Sequence, residues 1–169
     1  TLSGYDGILV PGGFGSRGIQ GKLEAIRYAR ENKIPYLGLC YGMQLAVIEF
    51  AQHVSGINGA TSKELDDKAL HQVISIMESQ KETLKGKKYG GSMRLGAYDA
   101  VLKKGSIVAG LYGALSVSER HRHRYEVNNQ YVKQLVESGL IFSGTSPDGH
   151  LMEFIELPKA VHPFFVGTQ

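Results

Sequence analysis

Pro35-Tyr36-Leu37-Gly38-Leu39-Cys40-Tyr41-Gly42-Met43-Gln44 is the stretch that decides the fold. It runs apolar up to a Gly-x-Cys-x-Gly turn and then passes into helical spacing at Met43, Leu45, Ala46, Val47, Ile48 and Phe50. Tyr36, Leu37 and Leu39 read as a buried strand, and the later apolar residues suit a helix packed on a sheet. The glycines flanking Cys40 remove Cβ atoms that would clash in a sharp strand-to-helix turn. Such an elbow predicts a sparsely populated backbone conformation at Cys40. It also lifts the sulfur over the C-terminal edge of the sheet, where the free N–H groups and positive end of the next helix favour a thiolate. A lone cysteine is ordinarily a small buried hydrophobe. Its place in this turn makes Cys40 the candidate nucleophile.

A second glycine-rich turn stands upstream. Gly7-Ile8-Leu9-Val10 reads as a strand, Pro11-Gly12-Gly13-Phe14-Gly15-Ser16-Arg17-Gly18 as a loop, and Gln20 to Glu31 as a helix. With a strand over Ile34–Leu39 and a helix over Tyr41–His53, the first half reads β-α-β-α, the signature of an α/β fold with a parallel sheet. Consecutive right-handed units bring both loops to one sheet edge, so Gly12 and Gly13 can aim backbone N–H groups towards Cys40. Donors placed so would form an oxyanion hole.

Beyond the elbow, short apolar runs at Val73–Met77, Ser92–Leu102, Leu140–Ser143 and Leu151–Leu157 predict strands, the last two joined through Thr145–His150 as a hairpin. Asn129–Ser138 predicts a short helix with Gly139 just past its end. Lys81–Gly91, charged and glycine-containing, predicts a mobile loop. The expected architecture is α/β, a mostly parallel central sheet flanked by helices with a small antiparallel addition, in a single domain over residues 1–169. The composition, 42% hydrophobic and 21% charged, suffices for one packed core. A net charge of +3 is too small to imply a partner. No apolar run of the ~18 residues a spanning helix needs is present, no signal peptide opens the sequence, and one cysteine excludes an internal disulfide, all of which point to a reducing cytoplasm.

Arg120-His121-Arg122-His123-Arg124 invites a nucleic-acid reading. On a strand, alternation would place Arg120, Arg122 and Arg124 on one face and both histidines on the other, giving a narrow stripe rather than a patch. Glu119 and Glu126 flank it, and without an aromatic series it reads as a solvated, partly salt-bridged strand. The two histidines lack a Cys or carboxylate set at metal-site spacing, so no metal is expected. Glu64 on its own reads as an exposed loop carboxylate, and Gln44 as a helix residue at a pocket rim.

Four blocks together carry a family resemblance: Val10-Pro11-Gly12-Gly13-Phe14-Gly15, Gly38 to Gln44, Gly91-Ser92-Met93-Arg94-Leu95-Gly96, and Ser118 to Asn128. The closing His162-Pro163-Phe164-Phe165-Val166-Gly167 adds a fifth. The chain resembles the class I glutamine amidotransferase (glutaminase) domain of the CTP synthases. The resemblance implies Cys40 as nucleophile and backbone N–H groups of Gly12, Gly13 and Tyr41 as the oxyanion hole. It implies glutamine binding by Gly13, Tyr41, Gly42, Met43, Gln44, Glu64, Arg124 and Tyr125, with Arg124 on the substrate's α-carboxylate and Glu64 on its α-ammonium. One arginine and one carboxylate would distinguish a free amino acid from a simple amide.

The domain itself is expected to need no cofactor. The parent enzyme of such a domain uses ATP and Mg2+ to aminate UTP, takes GTP as activator, with Arg17 a candidate contact, and is a homo-oligomer, a tetramer by resemblance. The synthetase domain of the same polypeptide is the expected partner; nucleic acid and membrane are not. The resemblance further implies a chain truncated at both ends: the family's opening strand and helix would precede Thr1, and the triad histidine and glutamate would follow Gln169. The expectation is therefore that the chain as given hydrolyses glutamine negligibly. Three other readings stay open: another class I amidotransferase, a flavodoxin-like cysteine hydrolase, and a non-catalytic binding module.

Overall fold

Strand β1 (Ile8–Val10) leads through the glycine loop into α1 (Ile19–Glu31), and β2 (Tyr36–Leu39) turns at Cys40 into α2 (Tyr41–His53). The computed structural model describes residues 2–76 and 93–169. The expected mobile loop Lys81–Gly91, together with Met77 and Ser92 at the ends of two expected strands, lies outside the described residues. Short strands β3 (Thr61–Ser62) and β4 (Gln72–Ser75) follow, then β5 (Arg94–Leu102), α3 (Ile107–Tyr112), β6 (Ser116–His123), β7 (Glu126–Val127), α4 (Asn129–Glu137), β8 (Ile141–Thr145), β9 (Met152–Glu156) and β10 (Phe165–Thr168).

The main sheet has seven strands in the order β1-β2-β10-β9-β8-β5-β6. Strands β1, β2 and β10 are parallel, while β10–β9, β9–β8, β8–β5 and β5–β6 pair antiparallel. The fold is α/β as expected, with the parallel core at the elbow. The antiparallel part is larger than a small addition, because β5 and β6 join the same sheet through β8 rather than forming a separate flap. A second sheet, β3-β4-β7, lies apart from it.

Packing explains why α2 is central. Every residue from Tyr41 to Ala51 is buried, so this helix is sheltered on all sides. Leu23, Ile26 and Ala29 give α1 the buried face that packs beside it. One charged group in this interior, Glu49, is fully buried and matched by a two-pronged contact from Arg30, Nη2 to Oε1 at 2.8 Å and Nε to Oε2 at 2.9 Å. Such a pair holds geometry, and losing either partner strands the other. The helix α3, which periodicity did not suggest, owes its start to capping: the Ser106 hydroxyl accepts from Ala109 N–H, and the buried Glu156 carboxylate of β9 accepts from Ile107 and Val108 N–H at 2.9 and 3.2 Å.

Register places the site. Val10 pairs with Gly38, and Leu39 with Thr168, so the C-terminal ends of the three parallel strands are level. Cys40 N–H donates to the Thr168 carbonyl at 2.7 Å, which fixes the elbow to β10. Both elbow glycines are sterically obligatory. A Cβ on Gly42 would stand 2.1 Å from the Val10 carbonyl oxygen, and one on Gly38 would stand 2.8 Å from the backbone of Gly42 and Met43.

Candidate active site

Cys40 occupies the N-cap position of α2 with φ 50° and ψ −100°, a backbone conformation that only a tightly held residue keeps. The expected elbow is therefore present. The glycine loop lies against it: a Cβ on Gly12 would be 3.9 Å from the Cys40 Cβ, and one on Gly13 would be 3.3 Å from the Tyr41 ring. Two contacts at Gly15 pin this loop, one to its N–H from Glu64 Oε1 at 2.9 Å and one from the Tyr41 hydroxyl, which donates to its carbonyl. Glu64 thus has a structural task that its reading as an exposed loop carboxylate did not include.

A cavity of about 720 Å³ opens over the sulfur. Its lining brings together Gly12, Gly13, Cys40, Gln44, Glu64, Arg124 and Tyr125, which come from stretches more than eighty residues apart in sequence. Tyr41, Gly42 and Met43 do not line it: they form the first turn of α2, and the Met43 side chain is buried against Gly167 of β10. Arg17, the candidate activator contact, is exposed outside the lining. Phe14, Met93, Arg120, Arg122, His123 and Gln169 also line the cavity.

Gln169 was not singled out from sequence. Its Nε2 lies 3.8 Å from the Cys40 sulfur and its Oε1 lies 3.4 Å from Gln44 Nε2, so it bridges Cys40 and α2. Gln44 is buried and donates at 2.9 Å to the Tyr125 carbonyl, which ties α2 to the turn carrying Arg124. The only advance signal for Gln169 was its position just past an apolar strand on the elbow's own edge.

Electrostatics correct one expectation. Burial pushes the Cys40 thiol above its ordinary value; the Tyr41 N–H pulls it back, but Glu126 and Glu64 push it up further. The helix N-terminus is opposed here first by burial of the sulfur and then by the two carboxyl groups.

The alternation expected for β6 is present, with Arg120 and Arg122 exposed and His121 and His123 buried. Beneath the cavity the histidines meet one local group, Glu126, and others that sequence spacing could not bring to them. His121 Nδ1 lies 2.8 Å from His123 Nε2 and 3.7 Å from Glu153 Oε2; His123 Nδ1 lies 3.4 Å from Glu126 Oε1. Arg94 contacts Glu153 at 2.8 Å and Glu126 at 3.3 Å. Among the described residues no group of three or more His, Cys, Asp or Glu side chains is placed to hold a metal ion, and no helix is long and apolar enough to cross a membrane.

Comparison with known proteins agrees with this geometry. The model of the glutamine amidotransferase class-I family matches residues 1–169. The chain is 61% identical over 168 residues to a CTP synthase of Leifsonia xyli subsp. xyli and 59% identical over 170 residues to one of Saccharopolyspora erythraea, covering 99% and 100% of this chain and 30% of each relative. It therefore spans about a third of the length of these curated relatives. Among solved structures, the glutaminase domain of a Trypanosoma brucei CTP synthase with bound acivicin superposes with a TM-score of 0.90 at 42% identity, covering 99% of this chain and 63% of that one.

Proposed function

The chain belongs to the class I glutamine amidotransferase family, and from that premise we propose that it is the glutaminase portion of a CTP synthase, hydrolysing L-glutamine through Cys40. The observation that carries this reading is the strained Cys40 elbow facing one cavity with both Glu64 and Arg124. The substrate's α-carboxylate meets the Arg124 guanidinium and its α-ammonium meets Glu64, which leaves the γ-amide carbonyl over the sulfur. Attack by sulfur puts negative charge on the amide oxygen, which N–H groups of Gly12 or Gly13 and Tyr41 stabilise. Loss of ammonia leaves a glutamyl thioester, and water releases glutamate. His121 and His123 are engaged with each other and buried, so protonation of the departing ammonia falls to a different group.

Because the ammonia is released into a protein whose relatives are CTP synthases, we assign it to ATP-dependent amination of UTP in a synthetase domain of the same polypeptide. That reaction would use Mg2+ and GTP activation outside this domain, in a homo-oligomer. The test is glutamate release and CTP formation by the intact protein. Native protein should release glutamate and form CTP from UTP, ATP and glutamine; Cys40→Ala should lose both but still form CTP with added ammonia. Acivicin, the compound bound in the T. brucei glutaminase domain, should modify Cys40 and no other residue. Glutamate release that persists in Cys40→Ala would overturn the assignment.

A further inference from the structure

The turn that presents Arg124 and Tyr125 to the cavity is only four residues long, and both of its ends are buried. His123 is 6% exposed and Glu126 is fully buried, while Arg124 and Tyr125 between them are half-buried. The end groups meet each other, His123 Nδ1 to Glu126 Oε1 at 3.4 Å. The His123 ring is held from behind by His121 at 2.8 Å, and Glu126 is held by Arg94 of β5 at 3.3 Å. Glu153 of β9 closes the group by contacts to Arg94 and His121, and Tyr98 of β5 covers it, its ring 5.6 Å from His121 and 4.3 Å from the Arg94 guanidinium.

The geometry points to His123 and Glu126 as positioning residues for the glutamine site: by closing the 123–126 turn they hold Arg124 and Tyr125 where the amino-acid end of the substrate binds. This rests on the reading of Arg124 as the carboxylate clamp. Neither side chain needs to touch the reacting carbonyl, so their effect should fall on binding rather than on turnover. The charge balance of the group fits a fixed support. One guanidinium faces two carboxyl groups and two imidazoles in a space closed to water. Burial, with His121 and Arg94 beside it, pushes His123 down to about 3, and burial pushes Glu126 up to about 8. At neutral pH the His123 ring is then uncharged and Glu126 keeps its proton. Above pH 8 Glu126 ionises and, though Arg94 faces it at 3.3 Å, adds a negative charge beneath the clamp that opposes ionisation of the Cys40 thiol.

Glutamine kinetics in the intact protein test this. His123→Leu should raise KM for glutamine about tenfold or more while kcat changes less than about threefold, and His123→Asn, which keeps a polar side chain at the turn, should recover most of the lost affinity. The ratio of KM at pH 9 to KM at pH 7 should be larger in the native protein than in Glu126→Gln. A His123→Leu variant with native KM, or one whose KM and kcat deteriorate together with no rescue by Asn, would overturn the inference. Should the Leu variant fail to fold, the Glu126→Gln pH ratio decides alone: equality with native protein overturns it. Failure of the underlying reading looks different, since native protein would then release no glutamate, or Arg124→Ala would leave KM unchanged.

Discussion

The two sides of the cavity hold their functional residues by opposite means. At the elbow, between β1, β2 and β10, position is set by backbone against backbone: a cysteine at φ 50°, an N–H to the Thr168 carbonyl, and glycines with no room for a Cβ. Across the cavity, on β5, β6 and β7, position is set by buried ionisable side chains drawn from four segments of the chain. Backbone packing tolerates no adjustment but is indifferent to pH. A buried ionic group tolerates small shifts and responds to every proton. The proposed nucleophile sits on the first kind of support and the proposed substrate clamp on the second.

The sharpest break of this contrast is Gly42→Ala. A methyl 2.1 Å from the Val10 carbonyl oxygen cannot be absorbed by a flexible side chain, because the neighbour is backbone. The expected outcome is a loss of more than ~3 kcal/mol in denaturant unfolding, or no folded protein at all. No single neutral substitution in the Arg94–Glu153 half should match it except removal of one charged partner. A Gly42→Ala protein of near-native stability would show that the elbow yields more than its geometry implies.

Arg124→Ala comes next. Removing the guanidinium should raise the glutamine KM about a hundredfold, which corresponds to about 2.8 kcal/mol at about 1.4 kcal/mol per tenfold change. Ammonia-dependent CTP formation by the intact protein should be unaffected. Glu64→Ala should do more than lose an ammonium partner, because Glu64 also holds Gly15 and with it the glycine loop. Its kcat should therefore fall as well as its affinity. Matching kinetic profiles for the two variants would erase the distinction between a clamp residue and a loop-holding one.

That distinction marks what the sequence could and could not reveal. The elbow, the glycine loop and their shared edge were legible because each is written in adjacent residues: two glycines around Cys40, a strand before and helical spacing after. The alternation of Arg120–His123 was legible for the same reason, although Arg124, expected on the face of Arg120 and Arg122, lies past the end of β6 in the turn. The support beneath it was not, since Arg94 and Glu153 reach His121 and the 123–126 turn only through the pairing of β5 with β6 and of β8 with β9. Helix α3 was missed because its start depends on Glu156, forty-nine residues away. The low thiol pKa expected at Cys40 is opposed for a kindred reason: a helix N-terminus is a local feature, whereas the burial of the sulfur, and after it Glu126 and Glu64, come from the assembled fold.

A third measurement sharpens the contrast through pH. His123 carries a lowered value, about 3 against an ordinary 6.5, so the unfolded chain binds its proton first and stability rises with pH between those values. Glu126 carries a raised one, about 8 against 4.5, so the folded chain keeps its proton longer and stability falls with pH between those values. The two slopes oppose each other from 4.5 to 6.5. Above 6.5 only the Glu126 slope remains, and by pH 8 the net loss should be on the order of 2 kcal/mol. Unfolding midpoints across pH 6.5–8 should therefore fall in the native protein and hold level in Glu126→Gln. An equal decline in both would place the titrating group elsewhere.

The smallest expected effect tests the elbow half on its own terms. Holding a non-glycine residue at φ 50° and ψ −100° costs about 1–3 kcal/mol. Cys40→Gly should release that strain, and the extra chain entropy that glycine loses on folding, about 0.5–1 kcal/mol, offsets part of the gain. Cys40→Ala keeps both the Cβ and the strain, so it is the proper reference. The Gly variant should be more stable than the Ala variant by about 1 kcal/mol in denaturant unfolding, with both unable to hydrolyse glutamine. The comparison separates geometry from chemistry, because neither variant carries a sulfur and only one carries a Cβ. Equal stability would mean that the elbow is a relaxed turn, and that the nucleophile is placed by its neighbours at no cost to the fold.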